Sequence, residues 1–215
     1  MFNRATAFNQ RLDWDTSSVT NMLSTFHGAE AFNQPLAWDT SKVTDIQWTF
    51  YDAQNFNQPL AWDTSKVTNM GGTLRSATAF NSQLVWDTSQ VTAMNSMLQD
   101  ATAFNQRGIA DWDVGKVSDF TSMFDSTALV SDGCSKETMY DAWQGVAAFV
   151  SCDAAPAYDW STAACPGVFS DLNTLKTAVG DLATAEATHG SISGWDVSRV
   201  GDMTQLFLSK ATFND

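Results

Sequence analysis

Phenylalanine returns every 24 residues along this chain, at Phe8, Phe32, Phe56, Phe80 and Phe104. Tryptophan keeps the same beat at Trp14, Trp38, Trp62 and Trp86, then slips by two to Trp112 because Arg107-Gly108-Ile109-Ala110-Asp111 is a longer connection. A partial copy returns as Trp195, Asp196, Val200, Met203, Phe207 and Phe213. A period of this length means one small unit stacked on itself, because a single unit cannot cover its own apolar face. Whatever else the chain does, it first builds a scaffold.

Each copy changes periodicity halfway. Val43, Ile46, Phe50 and Ala53 follow one another at spacings of 3, 4 and 3, one stripe of a helix, with Asp39-Thr40-Ser41 just ahead as capping residues. Phe32 to Trp38 alternates instead, placing Leu36 and Trp38 inward and Pro35 and Ala37 outward, as in a short strand. One short parallel strand and one short helix per copy predict an α/β solenoid with helical caps, the array filling residues 1–129. Met1-Phe2 shares the phase of Leu206-Phe207, and Phe213-Asn214-Asp215 that of Phe8-Asn9-Gln10. The chain therefore enters and leaves in mid-repeat and reads as part of a longer polypeptide, since arrays end in atypical caps.

The pattern Met-x-x-x-Phe-x-x-Ala-x-x-Phe-Asn-Gln-x-Leu-x-Trp-Asp-Thr-Ser-x-Val-Thr-x-Met resembles the short surface-protein repeat of mycoplasma and Listeria lipoproteins, itself similar to BspA-type leucine-rich repeats and found also in microalgae and other protists. The resemblance covers residues 1–129 and 190–215, with Leu74 and Leu98 replacing Phe and Val114 and Val197 replacing Thr. It implies a leucine-rich-repeat-like solenoid on a cell-surface or secreted protein, engaged in adhesion or interaction, and it carries over no catalytic residue.

Residues 130–189 break the period. Met139, Trp143, Val146 and Val150 lie at helical spacing and predict an amphipathic helix over the open end of the last copy. Residues 130–167 then form a helical C-terminal cap and linker, and residues 168–215 a cap helix through Leu172, Leu175, Val179 and Leu182 followed by the first copy of a second array. Cys134, Cys152 and Cys165 all fall in this region. Their spacing holds no CxxC pair, which disfavours a metal site. An extracellular setting favours a disulfide, with Cys134 and Cys165 the first choice because that bridge ties the ends of the cap together.

Charge narrows the partners. Eleven basic against 24 acidic residues leave a net charge of −13, which repels a phosphate backbone or an anionic membrane. No stretch approaches the ~18 apolar residues of a membrane span. No apolar leader follows Met1, which says little in a chain that begins in mid-repeat. His27 and His189 do not recur, Gly190-Ser191-Ile192-Ser193-Gly194 has isoleucine where a nucleophile elbow needs serine, and no phosphate-binding loop or zinc-protease motif is present. The reading is a non-enzyme without cofactor.

Repeated columns invite both structural and functional readings. The tryptophans read as core, the Asn9, Asn33, Asn57, Asn81, Asn105 column as an amide ladder, and Asp15, Asp39, Asp63, Asp87, Asp113 as caps in preference to calcium ligands. Threonine ranks through Thr16 and Thr20 read as capping residues in preference to an ice-binding face. The outward strand ranks, Arg11, Pro35, Pro59, Gln83 and Asp13, Ala37, Ala61, Val85, make a short-sided apolar strip. That strip is either a docking surface for a protein partner or simply small so that copies stack closely. The function expected is protein–protein interaction, adhesion or extracellular assembly, with adsorption of glycan, ice or mineral as the alternative.

Overall fold

The structure is a computed structural model, and it describes residues 1–131, 138–140 and 142–152. The chain divides into two compact units, Met1–Ala163 and Ala164–Asp215, the second of which lies outside the described residues.

Within the first unit every copy lies over the next in register. The inward side chains form columns: one ring column runs Phe8, Phe32, Phe56, Phe80, Phe104 with centroids 5.9, 6.0, 6.0 and 6.1 Å apart, and Trp62, Trp86 and Trp112 stack at 6.3 Å. A second phenylalanine column, Phe2, Phe26 and Phe50, steps by 5.5 and 5.4 Å. Inside a copy the two columns touch, Phe26 on Phe32 at 4.2 Å and Phe50 on Phe56 at 4.1 Å. Nearly parallel, offset rings at these separations are favourable for aromatic quadrupoles and bury large apolar area. Where Leu74 and Leu98 replace Phe the column stays buried without ring stacking.

The stripe expected to be a helix is buried as expected, yet it is not a helix. Residues 47–52 are consecutive turns. In the equivalent segment, the N–H groups of Thr25, His27 and Ala29 bond to the carbonyls three residues back, while those of Met22, Ser24, Phe26 and Gly28 bond across to Asp45, Gln47, Thr49 and Tyr51 of the next copy. Half of the N–H groups thus stitch copies together, which an α-helix, satisfying its own donors, could not do. Isolated parallel bridges link Asn21, Asp45, Asn69, Ala93 and Asp119 in sequence. In alternate turns the third residue takes positive φ, at Ser24, Gly28, Trp48, Asp52, Gly72 and Ser76, the geometry a type II turn requires.

The expected strand is likewise replaced. Residues 32–38 keep the alternation, with Leu36 and Trp38 buried and Pro35 and Ala37 exposed, but they form no strand. On this side ring centroids sit farther apart than on the turn side, and side chains bridge the copies instead of a backbone ladder. Each asparagine Oδ1 accepts the N–H of the asparagine one copy on: Asn9 from Asn33 (2.9 Å), Asn33 from Asn57 (3.0 Å), Asn57 from Asn81 (2.8 Å) and Asn81 from Asn105 (2.9 Å). Buried threonines do the same: Thr16, Thr40, Thr64 and Thr88 donate Oγ1 to Asp39, Asp63, Asp87 and Asp113 carbonyls. Each such bond contributes about 1 kcal/mol, and leaving its backbone group unmet would cost more.

The array is closed at its last copy. Helix α1 (Ala128–Ser131) buries Leu129, whose N–H bonds to the Phe104 carbonyl. Residues 138–140 and 142–143 are helical, and helix α2 spans Ala147–Cys152. Met139, Trp143 and Phe149 are buried. Trp143 meets Phe120 at 5.8 Å and Phe124 at 6.0 Å, crosses Phe149 edge-on at 5.5 Å, and donates its indole N–H to the Ala110 carbonyl. Turning from parallel stacking to edge contacts covers the last ring layer without offering another. The Cys134–Cys165 pair and the helix through Leu172 lie outside the described residues.

Candidate functional site

Where an array repeats itself, chemistry is found in the columns that vary and in the surfaces that stay exposed. Two such surfaces lie on different parts of the copy.

The first is the strand-side strip. Arg11, Asp13, Pro35, Ala37, Pro59, Ala61, Gln83 and Val85 are all exposed, Val85 to 80%. Pro59, Ala61, Gln83 and Val85, with Trp62 beneath, line a groove of ≈ 630 Å³. The strip has marked ends. Arg11 Nε pairs with Asp13 Oδ1 at 2.6 Å, an exposed contact contributing between 0 and about 1 kcal/mol. At the other end a 3₁₀ helix, Arg107–Asp111, absorbs the two extra residues, and its Gly108 lies against Gln83. Below the groove the Trp62 indole N–H is buried with no acceptor among the described residues, whereas Trp38 and Trp86 donate to the Leu12 and Leu60 carbonyls at 3.3 and 2.9 Å.

The second surface is the ribbon of turns. One column there reads His27, Tyr51, Arg75, Gln99, and its neighbour Ser24, Trp48, Gly72, Ser96. The His27 ring lies 4.6 Å from that of Tyr51, and the Arg75 guanidinium carbon sits 5.3 Å from the Tyr51 centroid. Trp48, 42% exposed and at φ 54°, lays its indole across Gly72. Burial, then the neighbouring Arg4, holds the His27 pKa below its usual value, with Asp52 opposing. Periodicity does not single out Trp48, Tyr51 or Arg75, because the His27, Tyr51, Arg75, Gln99 column changes residue type at every copy; that variation is the signal the sequence offers.

Other columns are explained by local bonding. The aspartates expected to cap helices cap turns: Asp15, Asp39, Asp63 and Asp87 accept the N–H of the serine two residues on, at 2.9 to 3.0 Å. The serine hydroxyl and then this N–H lower each aspartate pKa. Because folding lowers these values, their contribution to stability is complete above the ordinary aspartate pKa and is lost as pH falls through the lower folded ones. The thermal midpoint should therefore drop on acidification below roughly pH 4. Asp39→Asn combined with Asp63→Asn, which keeps the acceptor and removes the titration, should make that drop shallower; an unchanged acid limb would reject this assignment. The outer threonines Thr44, Thr68 and Thr92 donate Oγ1 to the preceding threonine carbonyl at 3.1 to 3.3 Å. Among the described residues no three His, Cys, Asp or Glu side chains gather as a metal ligand set, and no helix is long and apolar enough to cross a membrane.

The chain matches the family model described as "Mycoplasma protein of unknown function, DUF285" three times, over residues 1–84, 60–144 and 173–215. The chain belongs to the DUF285 family. The matches take in the array, the start of the aperiodic segment after it and the returning copy near the end, each longer than one 24-residue copy. No curated protein and no solved structure matches the chain.

Proposed function

We propose that this DUF285 chain is a non-enzymatic, leucine-rich-repeat-like solenoid of the BspA type, displayed at the cell surface or secreted, that binds a protein partner or another copy of itself through the strand-side strip. The observation that carries the reading is the split along residues 32–38 and their equivalents: Leu36, Leu60 and Leu84 are buried, while Pro35, Ala37, Pro59, Ala61 and Val85 are exposed over successive copies. A contiguous exposed apolar strip is costly to leave in water and marks an interaction surface more often than not. The small side chains leave room for an extended segment to lie along the groove, and the bonded stack beneath holds that surface rigid.

The test is selection from a displayed library of extended peptides, together with sedimentation over a concentration series. The wild-type chain should enrich peptides or self-associate. Ala37→Glu, Ala61→Glu and Val85→Glu together should weaken that binding at least about tenfold, through charge placed in an apolar contact, with circular dichroism unchanged. Retained binding in a folded triple variant, or no binding by either route, would remove the strip as the docking surface.

A further inference from the structure

We propose that the turn ribbon of copies two to four carries a binding site for a short anionic saccharide, built by Trp48, Tyr51 and Arg75 with Arg4 and His27 alongside. It is independent of the strand-side strip. Three observations converge on it.

The first is chemical contrast. The chain carries a net charge of −13, yet Arg75 and His27 lie on either side of one tyrosine with Arg4 next to His27, and neither arginine forms an ion pair among the described residues. The carboxylate that acts on His27 is Asp52, whose Oδ1 accepts from Gln54 Nε2 at 3.0 Å. At physiological ionic strength charges beyond about 8 Å are largely screened, so these nearby cations outweigh the distant excess of carboxylates.

The second is pre-organisation. Arg75 is half-buried and stacked on Tyr51, which His27 backs from the copy before. Its Nε is buried with no hydrogen-bond partner among the described residues, and the guanidinium stacks on the Tyr51 ring. A planar, pre-positioned guanidinium offers the paired donors that a carboxylate or sulfate accepts.

The third is the aromatic surface. Trp48 takes a left-handed backbone conformation that a bulky residue adopts at a cost, and its ring covers a glycine, the one residue type at that place that lets it lie flat. A half-exposed indole presents an electron-rich face, which suits the apolar, positively polarised C–H face of a pyranose ring. The column changes to Ser96 and Gln99 in the following copy, which confines the patch to a few residues. A protein partner needs an interface of roughly 1,000 Å² or more; a sugar of two or three units does not.

Isothermal titration at physiological ionic strength with trigalacturonate, a heparin-derived disaccharide and neutral maltotriose tests the proposal. At least one anionic sugar should bind, the two identifying whether carboxylate or sulfate is preferred, and maltotriose should not. Arg75→Gln should weaken binding about tenfold or more, as loss of a paired charge-assisted contact does, and Trp48→Ala should weaken it for the same ligand. Lys116→Gln, which removes an equal charge at an exposed position outside both the patch and the strand-side strip, should leave it unchanged. Absence of binding by both anionic sugars, equal binding of maltotriose, or equal losses in Arg75→Gln and Lys116→Gln would overturn the site.

Discussion

Phe56→Ala should destabilise the array by about 3–5 kcal/mol, the range for emptying a large aromatic site in a core. Phe56 is wholly buried and touches three rings: Phe50 at 4.1 Å in its own copy, and Phe32 and Phe80 at 6.0 Å in the copies on either side. Relaxation can do little to close the gap, because Asn33 and Thr40 bond to the flanking copies and fix their spacing. The same change at Phe8, half-buried and stacked on Phe2 and Phe32, removes fewer contacts and should cost clearly less. Stability in a stack is close to a sum of unit and neighbour terms, so a defect in the middle weakens two interfaces and one at an end weakens fewer. Denaturant titration of both variants provides the check. Equal losses at Phe56 and Phe8 would show that column position does not govern stability.

Gly72→Ala should cost about 2–3 kcal/mol, a large penalty for one methyl group at a turn. Two causes add. At φ +60° a side chain meets the left-handed penalty of about 1–2 kcal/mol. The new Cβ would also fall against Trp48 Cδ1 and lie 2.6 Å from its Nε1, so the indole must leave. Gly28→Ala separates the causes, since Gly28 has φ +67° but its nearest neighbour would be the Arg4 Cα at 3.3 Å, a tighter contact than usual without a ring in the way. A double-mutant cycle separates them again. In a Trp48→Ala background Gly72→Ala should lose only the backbone share, about 1–2 kcal/mol. If the cost is the same with and without Trp48, the indole is not seated on the glycine, and the aromatic platform proposed for the saccharide goes with it.

The strip and the ribbon differ in how far the sequence announces them. Pro35, Ala37, Pro59, Ala61 and Val85 follow from alternation with Leu36 and Trp38, and burial places them outside as alternation demands. The ribbon residues follow from no periodic rule. Tyr51 and Trp48 flank the buried Phe50, and reading that stretch as a helix gives a wrong direction to everything around the inward stripe. The aspartate columns fall between: a local bond to the backbone two or three residues on is legible, but not whether it closes a helix or a turn.

The sequence alone determined the repeat length, the inward set and its vertical register, because the inward columns repeat one residue type or a close apolar substitute and only stacking makes such uniformity useful. Val43, Ile46, Phe50 and Ala53 are buried whether wound as helix or as turns, since both put residues three and four apart on one side. The tertiary structure decided which carbonyl each N–H takes. Met22 and Ser24 bond to Asp45 and Gln47 in the next copy instead of within their own, and that choice exists only once a second copy lies alongside. It also decided the left-handed residues: Trp48 and Ser76 carry no signature of positive φ, and they adopt it because bonds on both sides of the turn require it.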